Sequence, residues 1–401
     1  MTESAPAQPH HVQRSIKFLC AAAFASGANL RIADPLIPNL AHDFSVGVAS
    51  AARVVTAFTL AYGLFQLVSG PIADRLGKLR TVSIALLIAA IASMASYFVT
   101  SLSALTALRF ATGIGAGAII PLALAYIGDN VPYHARQLAL GRFMGAVLLG
   151  QAFGPVFGGL LSEHTGWRQV FLLMGFVFLA VAVPLFVESR QPAHASTSGP
   201  HVNPLVRYRE LLRDGWVRIM LLTVCIEGFL FYGALAYLGA YLKQRFGLGY
   251  GLIGLVLAGF SIGGVIYSVS VRTLVRRLGE QGLVRSGGVL LALCYAGIVL
   301  VPAWQLTVPF FVLLGLSFYM LHNTLQTKAT EMAPHARGSA ISIFAFSLFL
   351  GQAAGVWSLG LGIESAGFQL VISGAGIALM VLAVWFRTQL AAHAKRALAN
   401  A

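Results

Sequence analysis

Among the ionisable side chains that stand well inside long apolar segments of this sequence, where a charge is costly, three could bind or respond to protons. They are Asp34, Arg109 and Glu227. A carboxyl group withdrawn from water holds its proton to a higher pH, so it can bind and release that proton near neutrality. Asp34 and Glu227 are therefore candidates for proton binding, since an ionisable residue within lipid is a functional hypothesis by default.

Each of the three also has a structural interpretation. Arg31 precedes Asp34 by one helical turn and could pair with it near the outer end of the segment. Glu227 could contact a cationic substrate, or could be a hydrogen-bonded structural acid. Arg109 could extend its side chain to the outer surface. The residues by themselves leave these alternatives open.

Further polar and aromatic side chains occupy the same apolar segments and predict a wet substrate cavity. With Arg31 they are Tyr62, Gln66, Gln151, Phe231, His322, Asn323, Gln326, Gln352 and Trp357. Phe231 could stack on a flat or cationic substrate, and His322 could relay a proton. The alternative is that the rings fill core or lipid-facing positions and that His322 makes a hydrogen bond between helices.

The elements that hold these residues must lie in lipid. Hydrophobic residues make up 58% of the 401 residues and charged residues only 10%, against about 25% charged in a typical soluble domain. Twelve apolar runs are long enough to cross a bilayer, and they must be helical to satisfy their backbone groups. The runs are 16–40, 49–72, 81–99, 102–128, 137–162, 168–188, 217–242, 250–275, 284–302, 307–330, 338–363 and 367–390.

The basic residues recur in short segments between these runs. Of the 27 Lys and Arg residues, 21 fall on the side that holds both termini and 4 on the other. This asymmetry predicts cytoplasmic termini and a multi-pass protein of the inner (cytoplasmic) membrane. The net charge of +14 could also suggest a nucleic-acid partner, but the basic residues form no single patch, and we expect none.

A polar segment at 189–215 divides the twelve runs six and six. We expect an N-terminal six-helix bundle over 1–188, a cytoplasmic linker over 189–215 and a C-terminal six-helix bundle over 216–401. The halves repeat each other at an offset of 201–202 residues, as in GQAFG (150–154) with GQAAG (351–355) and SEHTGW (162–167) with ESAGF (364–368). Such repeats predict two bundles related by a pseudo-two-fold axis along the membrane normal.

The turn between the second and third runs reads GPIADRLGKLR. It resembles the loop signature of the major facilitator superfamily, G-x-x-A-D-R-x-G-K-x-R, with matches at Gly70, Asp74, Arg75, Gly77, Lys78 and Arg80. The resemblance implies that this loop joins Asp129 and Arg136 in a charge cluster that latches the outward-open state. The alternative is a solvated basic loop that only fixes topology.

Two further motifs carry the same resemblance. Arg109, Gly113 and Gly117 have the R-x-x-x-G-x-x-x-G spacing of the superfamily's fourth span, which implies that Arg109 faces the bundle interior and responds to proton binding. The stretch GQAFGPVFGG resembles the antiporter signature of the fifth span, with matches at Gly150, Gly154, Pro155, Gly158 and Gly159. The alternative for both glycine sets is close helix packing alone.

The resemblance covers all twelve runs and implies an all-α membrane protein with the major facilitator fold. The antiporter signature favours proton-coupled efflux of small molecules such as drugs or metabolites, by a monomer in the lipid bilayer without a cofactor. Proton-coupled uptake of a sugar or an organic anion is the alternative, and a non-transporting membrane sensor is a more remote one.

An enzyme is not expected. GFSIG at 259–263 matches the serine-hydrolase pattern G-x-S-x-G but lies inside an apolar run, without the strand–turn–helix context which that chemistry needs. Cys20, Cys225 and Cys294 lie in apolar runs and have no metal-ligand or disulfide spacing, so no metal site is expected.

Overall fold

The apolar runs form helices throughout the part of the chain that the computed structural model describes, residues 10–190, 204–333 and 337–399. The α-helices are α1 (His10–Arg31), α2 (Ile37–Asp43), α3 (Val48–Ala51), α4 (Arg53–Leu76), α5 (Lys78–Ala95), α6 (Leu102–Gly117), α7 (Ile119–Asn130), α8 (Tyr133–Thr165), α9 (Trp167–Glu188), α10 (Pro204–Leu211), α11 (Gly215–Phe246), α12 (Tyr250–Leu300), α13 (Thr307–Glu331), α14 (Arg337–Ala366) and α15 (Phe368–Ala399). Within the described ranges there is no strand.

Eleven helical stretches of the described chain are long and apolar enough to cross a membrane. One of them, α12, has 51 residues and would measure about 75 Å if it were straight. A bilayer core is only about 30 Å thick. The backbone of α12 leaves the helical region at Gly279, where φ is +63°.

The chain reverses direction at this glycine. Gly259 and Gly297 lie on either side of Gly279, yet they pack against Phe311 and Phe310, at the same end of α13. The two halves of α12 therefore run antiparallel and cross the membrane twice. The described chain has twelve passes, which confirms the all-α, twelve-span prediction.

Two large hydrophobic cores organise these helices. One is built mainly from α1 to α9 and the other from α11 to α15; we call these groups of helices the N-terminal and C-terminal bundles. The short helix α10 covers the last part of the predicted linker, and residues 191–203 of that linker lie outside the described ranges. Each group of helices thus has a large core of its own.

The motif glycines bring helices of the N-terminal bundle into backbone contact. Gly113 and Gly117 of α6 press on the backbone of α4 at residues 58 and 62. In α8, Gly150 and Gly154 press on the backbone of α1 at residues 24 and 28, and Gly158 presses on the backbone of residue 32, just after α1. Because these glycines recur at helical spacing, they line one face of each helix. They allow α6 to pack closely against α4, and α8 against α1.

The two bundles meet at one end of the molecule. We call it the outer end, near residues 45, 166 and 248, and the opposite one the inner end, near residues 77, 132 and 279. At the outer end Gly159 of α8 packs on the backbone of Tyr250 and Gly254 of α12, in the other bundle. Eighteen residues earlier, about five turns along the same face, no described atom lies within 4 Å of a Cβ placed on Gly141.

The second interface between the bundles behaves in the same way. Gly360 of α14 packs on Ala49 of the N-terminal bundle, whereas a Cβ on Gly338, near the inner end of α14, would meet no described atom within 4 Å. The N-terminal core also continues into α11 and α14 through Tyr237 and Ile363. The bundles are therefore closed together at the outer end and diverge towards the inner end.

Candidate functional site

The first ionisable cluster lies where the first membrane crossing is broken. Pro35 and Pro38 lack backbone donors, and α1 gives way to a short 3₁₀ turn that begins at Asp34. Arg31 Nη1 donates to Asp34 Oδ2 at 3.2 Å, and both side chains are buried. Asp34 Oδ1 is buried without a hydrogen-bond partner in the described chain. The pair is thus formed, with one acceptor left unsatisfied.

This pair faces the other bundle. The Arg31 guanidinium lies 4.3 Å from the ring centroid of Tyr232, on α11, and 5.9 Å from that of Phe260, on α12. A guanidinium over an aromatic face is attracted by the ring quadrupole. Arg31 is therefore held by a carboxylate of its own bundle and by aromatic rings of the opposite one.

The second cluster pairs Glu227 of α11 with His322 of α13. The distance from His322 Nδ1 to Glu227 Oε2 is 2.9 Å, and the Glu227 side chain is 0% exposed. Its other oxygen, Oε1, is buried with no partner among the described residues. The sequence named both residues separately but gave no sign that they touch. The structure makes them one hydrogen-bonded acid–base pair between helices.

Aromatic rings connect the two clusters. Phe318 stacks on His322 with ring centroids 4.9 Å apart, and Phe231 stacks on Phe318 at 4.2 Å. The Tyr232 ring, which contacts the Arg31 guanidinium, packs edge-on against Phe318 with ring centroids 5.3 Å apart. We call Phe231, Tyr232 and Phe318 the aromatic bridge. Phe318 was missed in the sequence, although it lies one turn before His322 on the same helix face.

The third cluster surrounds Arg109, which is only 1% exposed. Its Nη1 donates to Asn29 Oδ1 at 2.8 Å, and its Nη2 donates to the Asn29 carbonyl at 3.4 Å. The guanidinium lies 4.2 Å from the ring centroid of Phe58 and 5.3 Å from that of Phe171. Arg109 thus faces the interior of its bundle, not the outer surface. Asn29, two residues before Arg31 on α1, was not singled out in the sequence.

The remaining predicted cavity residues divide by burial. Tyr62 is buried, with its hydroxyl 3.5 Å from Ser26 Oγ and its ring 4.7 Å from that of Phe349 across the bundle interface. Gln352 is also buried, and its backbone lies against Gly228. The half-buried members are Gln66, Gln151 and Asn323. Of these five residues, Tyr62 and Gln352 therefore lie deepest in the protein interior.

One predicted cavity residue lies elsewhere. Trp357 is 54% exposed and shares a stripe of α14 with the exposed Leu350 and Leu361, so it belongs to an apolar outer face instead of the interior. The sequence gives the depth of a residue in a helix but not the direction in which it points. Gln326 is exposed near the inner end of α13, one turn after His322 on the same helix face.

The charge cluster expected at the inner end, which comprises Asp74, Arg75, Lys78, Asp129 and Arg136, is only partly formed. Lys78 and Asp129 form an ion pair, and Arg136 donates to a backbone carbonyl of its own loop. Asp74 and Arg75 are exposed and make no ion pair with any described residue. The five residues therefore do not form one cluster in this inward-open arrangement.

The rest of the loop motif serves the turn itself. Gly77 adopts φ +86° between α4 and α5, a conformation that side chains other than glycine rarely accept. Gly70 has open space around it, and Arg80 is exposed. The turn thus requires glycine at position 77, whereas Gly70 and Arg80 are free to make contacts in another arrangement of the bundles.

Comparison with known proteins gives consistent matches over nearly the whole chain. The family profile described as Major Facilitator Superfamily matches residues 19–356. The chain is 25% identical over 383 residues to the uncharacterized MFS-type transporter YceJ of Bacillus subtilis, covering 93% of this chain and 95% of the relative. It is 24% identical over 425 residues to the multidrug resistance protein Stp of Mycobacterium tuberculosis, covering 91% and 75%.

A solved structure shares the fold. It is a bacterial homologue of the human lysosomal transporter Spinster in an inward-facing, unoccupied conformation, with a TM-score of 0.75 at 18% identity. The match covers 95% of this chain and 97% of that one. At this level of identity the likeness concerns the arrangement of the helices.

Proposed function

This chain belongs to the major facilitator superfamily of membrane transporters, and we propose that it exports small molecules in exchange for protons by alternating access. The observation that carries the proposal is the pair of buried acid clusters, Arg31–Asp34 and Glu227–His322, joined by the aromatic bridge at the bundle interface. A proton site at the moving interface can have different affinities in the two states, so its occupancy can bias which mouth is open.

Each buried carboxylate has one oxygen without a partner, and such an acceptor is costly while the group carries its charge. Protonation removes that charge and weakens the attraction between the carboxyl group and its partner, Arg31 or His322. At Asp34 the partner is Arg31, which also contacts Tyr232 of the other bundle. A proton at Asp34 therefore changes a contact between the bundles, which couples proton binding to their relative position.

Cationic cargo is favoured because each cluster contains a carboxylate and the Tyr232 ring already binds a cation, the Arg31 guanidinium, on its face. A relative bearing the name multidrug resistance protein supports export as the direction, as does the antiporter-like motif of α8. The asymmetry of Lys and Arg supports an inner-membrane protein with cytoplasmic termini, and we propose that it works as a monomer whose bundles are joined by the 189–215 linker.

The direction of coupling can be tested in proteoliposomes with a fluorescent aromatic cation such as ethidium. With an acidic lumen, we expect the dye to accumulate as protons leave. With an alkaline lumen, we expect no accumulation of dye. Protein-free liposomes and vesicles treated with a proton ionophore are the controls. Accumulation only with the alkaline lumen would mean that dye and protons move together, and would reject antiport in favour of uptake.

A further inference from the structure

Two glutamates at the outer end reach across to the opposite bundle. Glu163, near the end of α8, accepts a hydrogen bond at Oε2 from the backbone N–H of Gly251, in the first turn of α12, at 2.7 Å. Glu364, near the end of α14, accepts one at Oε1 from the backbone N–H of Ala49, in α3, at 3.1 Å. Each carboxylate thus caps the start of a helix that belongs to the other bundle.

The two contacts are related by the internal repeat. Glu163 and Glu364 lie 201 residues apart, and their donors Ala49 and Gly251 lie 202 residues apart. These separations equal the offset at which the halves of the sequence repeat. The same contact is therefore made twice, once in each direction, about the pseudo-two-fold axis.

The two helix starts have no capping side chain of their own. Their N-cap residues are Gly47 and Gly249, whose extended backbone begins the helix with no side chain to bond its free N–H groups. A Cβ on Gly47 would collide with the Glu364 carboxylate, and one on Gly249 with that of Glu163. Glycine leaves room for the carboxylate, which the positive end of the helix dipole attracts.

We infer that Glu163 and Glu364 are positioning residues that form a reciprocal latch, holding the outer mouth closed while the inner mouth is open. The inference rests on the proposed alternating access, because the latch must break each time the bundles rock to the outward-open state. Glu163 and Glu364 contact none of the buried acid clusters and act only through the position of the bundles.

The latch is suited to repeated opening. Both glutamates are partly exposed to solvent, so water replaces the lost hydrogen bonds as the mouth opens. Loss of one helix cap changes a two-state ratio about fivefold. Removing both carboxylates should therefore raise the ratio of outward-open to inward-open molecules about 25-fold, if the two ends act independently.

The test compares Glu163→Ala/Glu364→Ala with Glu210→Ala, which removes an exposed carboxylate from α10. Hydrogen exchange should become faster at the amides of Ala49 and Gly251 in the latch variant alone. Spin labels at Thr100→Cys and Gln305→Cys, both exposed near the outer end, should report a longer distance in a background without the three native cysteines. The same exchange and the same distances as in the parent protein would overturn the latch.

A second pair of substitutions guards against a folding defect. Glu163→Gln/Glu364→Gln keeps the side-chain volume and an acceptor oxygen, so it should give a smaller shift in the same direction, and no shift in either double variant would overturn the proposal. The readout needs no proton gradient. If the outer mouth opens in these variants while dye moves with protons, antiport fails and the latch stands.

Discussion

Replacing Glu227 by Gln is expected to abolish proton-driven export while leaving the protein folded and inserted. Gln keeps the shape of the side chain and can still meet His322, but it cannot gain or lose a proton. Because export in exchange for protons needs a titratable group at this position, gradient-driven dye transport should fall to the level of protein-free liposomes.

The matched control for this variant is Glu331→Gln, the same chemical change at an exposed position of α13 that pairs with Lys328. We expect it to transport at the parent rate. Exchange of dye without a pH gradient should persist in the Glu227→Gln variant, because that exchange needs the alternation of the bundles but no net proton movement. Undiminished gradient-driven transport by Glu227→Gln would remove this residue from the mechanism.

Replacing Arg109 by Gln is expected to lower both stability and transport. The shorter side chain leaves Asn29 Oδ1 without its donor and empties the space between Phe58 and Phe171. A buried polar group left unpaired costs about 1–3 kcal/mol, and the lost packing adds to that cost. The melting temperature in detergent should fall, and the initial rate of dye transport should fall with it.

Arg109→Lys separates charge from geometry. Lysine keeps the positive charge but offers neither the two-pronged contact with Asn29 nor a flat group to lie against a ring, so we expect little recovery of transport. Arg272→Gln, at an exposed position of α12, is the control for loss of an arginine. A Lys variant with the parent melting temperature and transport rate would contradict a geometric role for the guanidinium.

The sequence could predict what lipid imposes. Backbone groups in a bilayer must be bonded within the segment, so twelve apolar runs meant twelve helical passes, even where Gly279 joins two of them into one long element. The motif glycines likewise pointed to close packing, because recurrence every four residues places them on one helix face. These features depend on local spacing, which a sequence displays directly.

Pairings between helices could not be predicted in this way. Glu227 and His322 are 95 residues apart in the chain, and nothing in either helix gives its rotation relative to the other. The same missing rotation placed Trp357 in a cavity that it does not line. The repeat containing Glu163 and Glu364 was visible as a likeness between the halves, but its role as a cap needed the backbone of the opposite bundle.

The measurement closest to the central claim is the width of the inner mouth as a function of pH. Spin labels at Gln137→Cys and Gln281→Cys, both exposed near the inner end, report it without any substrate. In the parent protein we predict a long distance at acid pH, because in proton antiport a bound proton favours the inward-open form, and a shift to shorter distances as the pH rises. In Asp34→Asn/Glu227→Gln, which imitates the protonated form, the long distance should persist at every pH. A double variant that kept the pH dependence of the parent would contradict the account.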